Sequence, residues 1–393
     1  MRGRPPSRSA RRPPPWRDVR VRRLAFQAVF LVLVVAFLLW LLDNVLTNLT
    51  RLGIGTSFDF LAQPAGFGIP DSDFRPSQSL SDAVLVGVKN TAVVSAAGIV
   101  LALVIGIVVG VARLSSNWLV RKAAAAYVES LRNVPVLLII FFWYFGVLLR
   151  LPPVDRAVDV SGFAVLSVRG LVVASPSAEA GIRLFAAFVA VGFLLAALVW
   201  VWRTRRSRLT GEPHHRVLWA GGIVAVVLAI GFVATGGPLT LDRPDRQGPG
   251  VAGGARLAPE YAALLIALAL YTASHIAEVV RGSILAVPRG QTEACDALGL
   301  SGFQRLRFVV LPQAFRVAIP PLSNQFLNLV KNSSLGVAIA YPEVTRIVRI
   351  AISQRAPAPQ SIALLMAIYL VFSLTIALIA NLVNRRLTSK GRR

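Results

Sequence analysis

Residues 83–112 read AVLVGVKNTAVVSAAGIVLALVIGIVVGVA, a run whose one charged side chain is Lys89. A bilayer hydrocarbon core about 30 Å thick is crossed by roughly 20 helical residues rising about 1.5 Å each. The run exceeds that length, so it is expected either to tilt or to begin as an interfacial segment around Ser81–Asn90. A helix of a water-soluble domain would set an apolar stripe against a polar face. Here apolar side chains occupy every face. Moving outward along the chain, the same signature recurs. It predicts about eight transmembrane helices, at roughly 24–42, 83–112, 128–149, 182–202, 217–234, 260–286, 318–340 and 361–384. The fold class is an all-α polytopic membrane protein, in keeping with 55% hydrophobic residues and a mean hydropathy of +0.65.

The seventh span is interrupted by Asn324, Asn328, Lys331 and Asn332. It is retained because the charge pattern requires it. With the N-terminus inside, the inner segments 1–23, 113–122, 203–216, 281–316 and 385–393 hold 27 Lys and Arg, against 11 in the outer segments 43–79, 150–181, 235–258 and 341–360. Basic residues collect on the cytoplasmic side of a membrane protein, so both termini are expected in the cytoplasm. Seven spans would put the basic tail Arg385–Arg393 outside. A basic start followed by an apolar run also describes a signal peptide. Leu24–Leu42 is too long for that, and Asp43-Asn44-Val45 is a poor cleavage site, so it reads as a retained span.

The net charge of +24, with nine Arg in the first 23 residues, could point to nucleic acid. No recognised binding fold or aromatic-basic stripe accompanies it, so we read no nucleic-acid partner and assign the charge to the membrane flanks. One cysteine, Cys295, excludes an internal disulfide and a cysteine-based zinc site; three histidines without an HExxH exclude a zincin. The outer segments carry breakers (Leu151-Pro152-Pro153, Arg243-Pro244-Asp245) and read as loops, the Gly- and Pro-rich 235–258 as a mobile one. Spans four and five are apolar all round and read as lipid-facing scaffold.

The inner connection between spans six and seven carries more information. It runs Val287-Pro288-Arg289-Gly290-Gln291-Thr292-Glu293-Ala294-Cys295-Asp296-Ala297-Leu298-Gly299-Leu300 and, past Arg305-Leu306-Arg307, reaches Val309-Val310-Leu311-Pro312. A short helix starting at Gln291 or Thr292 is expected to lie across the membrane face, then a tight turn at Gly299, then a second helical stretch ended by Pro312. Ala294, Ala297 and Leu298 give the first helix a face against which another protein can pack. On physical grounds an interfacial helix that merely steadies the bundle fits equally well.

The spacing Glu293-Ala294-x4-Gly299-x9-Val309-x-Leu311-Pro312 resembles the EAA loop of ABC importer permeases, with Cys295 where a second Ala is usual and Val309 where Ile is usual. Ala277-Glu278-Val279-Val280-Arg281-Gly282, Arg132-Asn133-Val134-Pro135 and Lys331-Asn332-Ser333-Ser334-Leu335 are similar to segments of polar amino acid permeases of the histidine and glutamine type. Asp59-Phe60-Leu61, Pro64-Ala65-Gly66-Phe67 and Asn117-Trp118-Leu119-Val120 resemble the longer permeases of general L-amino acid and glutamate/glutamine/aspartate/asparagine importers. The resemblance implies a type I ABC importer permease core in a bacterial inner membrane. It divides the chain into a basic cytoplasmic tail (1–23), a first span with a periplasmic segment (24–79), the permease transmembrane domain (80–385) and a second basic tail (386–393). Residues 150–258 are then an insertion carrying two extra spans. It also implies partners: an ATP-binding subunit holding ATP and Mg, a second permease subunit in a heterodimer, and a periplasmic amino-acid-binding protein.

Charges inside spans are costly and mark function or pairing. Lys331, with Asn328 on its face and Asn332, Ser333 and Ser334 beside it, either pairs structurally or lines a path that attracts a substrate carboxylate. His275 is either a cavity residue or a packing residue. Glu278 with Arg281, and Glu129 with Arg132, stand at i, i+3 and are expected to pair locally. Pro135 and Pro320-Pro321 are expected as first-turn or kink prolines of spans three and seven. The chain has no Gly-Lys dipeptide, hence no phosphate loop of the form GxxxxGK[ST], so it is not expected to hydrolyse ATP or to hold a cofactor itself. An ion-coupled secondary transporter is the alternative, for which intramembrane acids are few.

Overall fold

The computed structural model describes residues 19–389 except 52, 54–56, 177–179, 211–214, 237–240 and 248–249. Most of the two predicted basic tails therefore lies outside the described residues. In chain order the helices before the insertion are α1 (Val19–Arg51), α2 (Leu80–Ala112), α3 (Trp118–Arg132) and α4 (Val136–Phe141). The insertion then brings β1 (Val158–Val160), β2 (Ala164–Ser167), β3 (Gly170–Val173), β4 (Ser175–Pro176), α5 (Ala180–Thr210) and α6 (Arg216–Ala234). It closes with β5 (Leu241–Asp242), β6 (Asp245–Gln247), β7 (Gly250–Ala252) and β8 (Ala255–Leu257). The remainder is α7 (Pro259–Leu285), α8 (Arg289–Ala297), α9 (Gly302–Arg305), α10 (Leu311–Asn332), α11 (Val344–Ser353) and α12 (Ala358–Ser389).

The core forms where α2 meets α7. One side of α2 carries Ala83, Gly87, Thr91, Val94, Gly98, Ala102, Gly106 and Gly110, all buried at helical spacing. Small residues let helix backbones approach closely where lipid tails leave no hydrophobic drive for association. At Gly106 an added Cβ would stand 2.5 Å from the Ile276 side chain, and at Gly110 2.8 Å from the Ala277 carbonyl. Higher on the same side Gly98 receives Leu329 of α10, and Gly87 lies against the Val344 backbone of α11. One stripe on α2 thus seats three other helices. Leu264, Leu268 and Ile276 of α7, Leu329 of α10 and Ile140 of α4 are completely enclosed around it.

Among the described residues six helices are long and apolar enough to cross a membrane: α1, α2, α5, α6, α7 and α12. The third predicted span differs from expectation. It is broken at Asn133–Pro135 by 105°, into an amphipathic α3 and an apolar stretch from Val136 to Arg150. Pro135 lacks a donor and pushes Val134 out of the helical region, so the break falls there. Counted as one span, this pair is the seventh. The remaining predicted span corresponds to α10, which is not in the apolar set and carries Asn324, Asn328, Lys331 and Asn332. It starts at Leu311, before the expected residue 318, and gives way to a 3-10 turn at Ser333–Ile339. Pro320 and Pro321 lie inside this helix, not at its start.

The outer segments of the insertion are not the simple loops expected. β1, β2, β3 and β8 form an antiparallel four-stranded sheet in that order, with β4 paired to β5 and β6 to β7. Ladder pairing between residues 171–173 and 255–257 ties the two ends of the insertion together. The stretch read as mobile supplies four short strands, with Pro244 between β5 and β6 and Gly253-Gly254 between β7 and β8. Beyond the sheet, α5 and α6 form a hairpin that packs chiefly on itself, with Gly231 under Phe188 and Gly192 beside Val227. Its outward side chains are exposed along most of both helices, as lipid-facing scaffold requires.

The α2–α7 seam gives a direct test. Gly106→Leu should destabilise the protein by about 1–3 kcal/mol through overpacking. Gly282→Ala, on an open face of α7 with nothing within 4 Å, should be neutral or stabilising by up to about 1 kcal/mol. Thermal denaturation in detergent distinguishes the two; equal melting temperatures would refute the seam.

Candidate functional site

At the inner loop, α8 begins at Arg289, immediately after Pro288. This is earlier than the expected Gln291 or Thr292, because Pro288 is itself extended (φ −58°, ψ 136°) and sets the helix start behind it. Thr292 instead donates to the Arg289 carbonyl at 2.7 Å. Cys295 is buried, whereas Glu293, Ala294 and Ala297 are exposed and Leu298 is 77% exposed. Gly299 has φ +69° and closes the helix: Leu300 N–H donates to the Cys295 carbonyl and Gly299 N–H to that of Asp296, each at 3.0 Å. That pair is a Schellman cap. Nothing lies within 4 Å of a would-be Cβ, so the sign of φ demands glycine, not the crowding expected from sequence.

Pro312 does not end the following helix, contrary to expectation. Ser301 caps α9 in a capping box with Gln304, a π-turn over Leu306–Val310 follows, and α10 continues with Leu311 and Pro312 in its first turn. Proline is tolerated there because first-turn N–H groups have no partner to lose. Arg305 pairs with Asp296 at 2.8 Å and Gln313 donates to Gln291 at 3.3 Å, bracing α8 against this helix. Between them opens a cleft of about 450 Å³ lined by Ile284, Val287, Thr292, Arg305 and Leu306.

Further along α10, Asn324, Asn328 and Lys331 stand at i, i+4 and i+7 and are all exposed. Asn332 and Ser334 are half-buried, and Ser334 donates to the Lys331 carbonyl at 2.7 Å. Ser333 departs from the expected path: it is fully enclosed and donates to the Val330 carbonyl at 2.7 Å. His275 is half-buried against the edge of the Tyr271 ring, 4.8 Å between centroids, and its Nε2 is enclosed without a hydrogen-bond partner.

Where α2 and α7 end together, Glu278 accepts from Arg281 at 2.5 Å and is also bonded by Arg113, 165 residues away in sequence. Arg132 lies in electrostatic range of Glu278 and His275. No ion pair joins Glu129 to Arg132 among the described residues, since the break after α3 leaves Arg132 turned toward α7. Among the described residues no three His, Cys, Asp or Glu side chains meet in a metal-binding group.

The opposite end holds a second buried group. Glu343 is fully enclosed; its carboxylate caps α11 by accepting from Thr345 and Arg346 N–H, both at 2.8 Å, and from the Tyr369 hydroxyl at 3.2 Å. Around it, Val344 N–H donates to Thr91 Oγ1 at 3.2 Å and Asn90 to the Pro342 carbonyl at 2.9 Å. The segment 341–346 is thereby clamped to α2 and α12.

A polar-striped helix beside a small-residue seam, fed from a loop that presents an exposed helix, is the geometry that the comparisons can name. Residues 102–390 match the family described as the binding-protein-dependent transport system inner membrane component. The chain belongs to that family. It is similar to YhdX of Escherichia coli (strain K12), named for an amino-acid ABC transporter permease, with 43% identity over 93% of this chain and 94% of YhdX. It is 37% identical to the general L-amino acid transport system permease protein AapQ of Rhizobium johnstonii, over 94% of this chain and 93% of AapQ. It is 35% identical to the glutamate/glutamine/aspartate/asparagine transport system permease protein BztB of Rhodobacter capsulatus, over 95% and 96% of the two chains.

As a membrane component of a binding-protein-dependent system the chain is a transport subunit, and the ion-coupled alternative is set aside. Sequence reading of this permease missed Arg113 and Glu343. Arg113 was legible in principle: it closes span two on the side where Glu278 approaches the end of span six. Glu343 was not, because its burial depends on α12 folding over it.

Burial pushes the Glu343 carboxyl up, over the opposing pull of its backbone and hydroxyl donors. The folded chain then holds a proton that the unfolded chain has lost. This group's contribution to stability is complete below the ordinary carboxylate range and falls as pH rises through the window up to the raised value. Glu343→Gln should therefore flatten the fall in melting temperature as pH rises above the ordinary carboxylate range. It should also cost about 1 kcal/mol throughout, through loss of one cap bond. An unchanged pH dependence in the variant would sink the assignment.

Proposed function

We propose that this chain is the transmembrane permease subunit of an ATP-driven importer that moves L-amino acids from periplasm to cytoplasm by alternating access. The observation that carries the reading is the exposed face of α8, with Glu293, Ala294, Ala297 and the bare Leu298, held rigidly by the Gly299 cap and the Arg305–Asp296 pair. A small-residue face ending in an exposed Leu298 leaves room for another protein to pack closely on α8. The names of three relatives matched along nearly their whole lengths supply the substrate class.

In this reading the partner is a separate ATP-binding subunit, which holds ATP and Mg. The chain lacks a phosphate loop and contributes no catalytic residue. Closure of the ATPase presses on α8, and Leu311 and Pro312 pass the displacement into α10. Asn328, Lys331, Asn332 and Ser334 then face the translocation path, with the ammonium of Lys331 available to a substrate α-carboxylate. Their exposed stripe is covered by a second permease subunit, the two forming a heterodimer. A periplasmic amino-acid-binding protein delivers substrate on the face bearing the sheet. Both termini lie in the cytoplasm of a bacterial inner-membrane protein. Glu278 with its arginines, and His275 beside them, hold the inner ends of α2, α3 and α7 in register.

Two measurements test these roles. Leu298→Asp and Gly299→Val should each reduce co-purification of the ATPase by about tenfold or more, the loss typical of a truncated interface anchor. The permease itself should be retained at normal level. Undiminished association would reject α8 as the coupling element. Lys331→Ala should lower uptake by about tenfold, a loss typical of a removed charge-assisted contact, while leaving ATPase association intact. Wild-type uptake in that variant would remove Lys331 from the path. Competition by a panel of L-amino acids, in a deletion strain carrying this gene and its neighbours, would separate a general importer from one restricted to glutamate, aspartate and their amides.

A further inference from the structure

The α5–α6 hairpin takes no part in the path described above, yet it is not uniform along its length. Its two helices start and end on the side of the strands, so the C-terminal end of α5 and the N-terminal end of α6 lie at the opposite end of the hairpin. In sequence the stretch 203–216, which takes in both helix ends, carries five Arg and one acid, Glu212. The helix ends flanking it hold Trp200, Trp202 and Trp219, the residue type that settles at the headgroup level of a bilayer. The Arg203 guanidinium sits 4.8 Å from the centroid of the Trp219 ring, and Arg206 5.8 Å from that of Trp202. This end is an aromatic and cationic collar.

From the collar a groove of about 400 Å³ runs along α6, lined by Leu218, Trp219, Gly222, Ile223, Val226 and Val227. Leu218, Gly222 and Val226 form one row at i, i+4 and i+8, and Trp219 and Ile223 the next. Gly222 leaves a gap in its row, and nothing lies within 4 Å of where its Cβ would be. Lined by apolar side chains, the groove starts at a tryptophan under a guanidinium and extends away from the membrane surface by about two turns, roughly 13 Å. Its polarity is that of a lipid, with charge at the surface and hydrocarbon beneath.

We propose that this groove is a binding site for an anionic phospholipid, one acyl chain lying over Gly222 and the phosphate held by Arg203 and Arg206. Guanidinium is the side-chain group best matched to phosphate oxygens. The excess of arginine over acid in 203–216 selects anionic over zwitterionic headgroups, each basic side chain near an anionic surface adding about fivefold in affinity. The apolar lining offers a protein partner no polar anchor, which favours lipid as the occupant.

The test uses the full chain purified in mild detergent and titrated with phosphatidylglycerol or with phosphatidylcholine of the same acyl chains, bound lipid being counted by native mass spectrometry. Wild type should bind phosphatidylglycerol at least about fivefold more tightly than phosphatidylcholine. R203Q/R206Q should lower phosphatidylglycerol affinity by about twentyfold, and R203K/R206K should retain most of it. G222L, which fills the gap on an exposed face, should weaken both lipids. Undiminished phosphatidylglycerol binding in R203Q/R206Q or in G222L would overturn the proposal. So would a co-purifying polypeptide, displaced by G222L, in place of lipid. None of these readouts depends on transport, so failure here would leave the importer reading standing, and failure of uptake would leave this site standing.

Discussion

Close approach of α2 to α7 is the constraint on which the rest of the bundle depends. In a membrane, apolar side chains gain little by leaving lipid for protein, so helices hold together through van der Waals contact and hydrogen bonds. A stripe of glycine and alanine on α2 allows that contact at backbone distance, and Gly106 and Gly110 leave no space for a Cβ. Because the same stripe continues past Gly98 to Gly87, α10 and α11 are positioned by the helix that positions α7. The inner charge group around Glu278 and the outer clamp around Glu343 sit at opposite ends of this one seam.

Hydropathy made the crossings legible, since a span advertises itself by length alone. It left their interruptions obscure. Pro135 was readable as a first-turn or kink proline, yet nothing in sequence gave the size of the turn, which depends on α3 packing against α7, where Tyr127 donates to the Leu270 carbonyl. Pro320 and Pro321, expected as first-turn or kink prolines, are carried within α10. The expected ending at Pro312 failed for a related reason: a π-turn before it allows the helix to continue. Strands of two to four residues in the insertion left no periodic signal to find, and their register is set by pairing across the hairpin.

Site residues divided along similar lines. Glu293, Ala294 and Gly299 stand out because a local motif fixes both their spacing and their exposure. Asn328 and Lys331 are visible as polar residues in an apolar stretch. Ser333, next to them in sequence, points the other way, because the helix tightens into a 3-10 turn at that residue and turns its hydroxyl onto the Val330 carbonyl. Arg113 acts through a partner 165 residues away, and Glu343, which caps α11 locally through Thr345 and Arg346, is bonded from α12 by Tyr369, beyond any short window of sequence.

The helical path from Gly302 through the π-turn to Asn332 is unbroken, and this fixes angles as well as lengths. Each residue in a helix advances its neighbours by about 100°. A single insertion between Leu311 and Asn324 would leave the seam side of α10 mismatched or swing Asn324, Asn328 and Lys331 away by that angle relative to α8. Only changes of about a whole turn would keep both faces in phase. This helix can therefore change in length only in steps set by its own pitch.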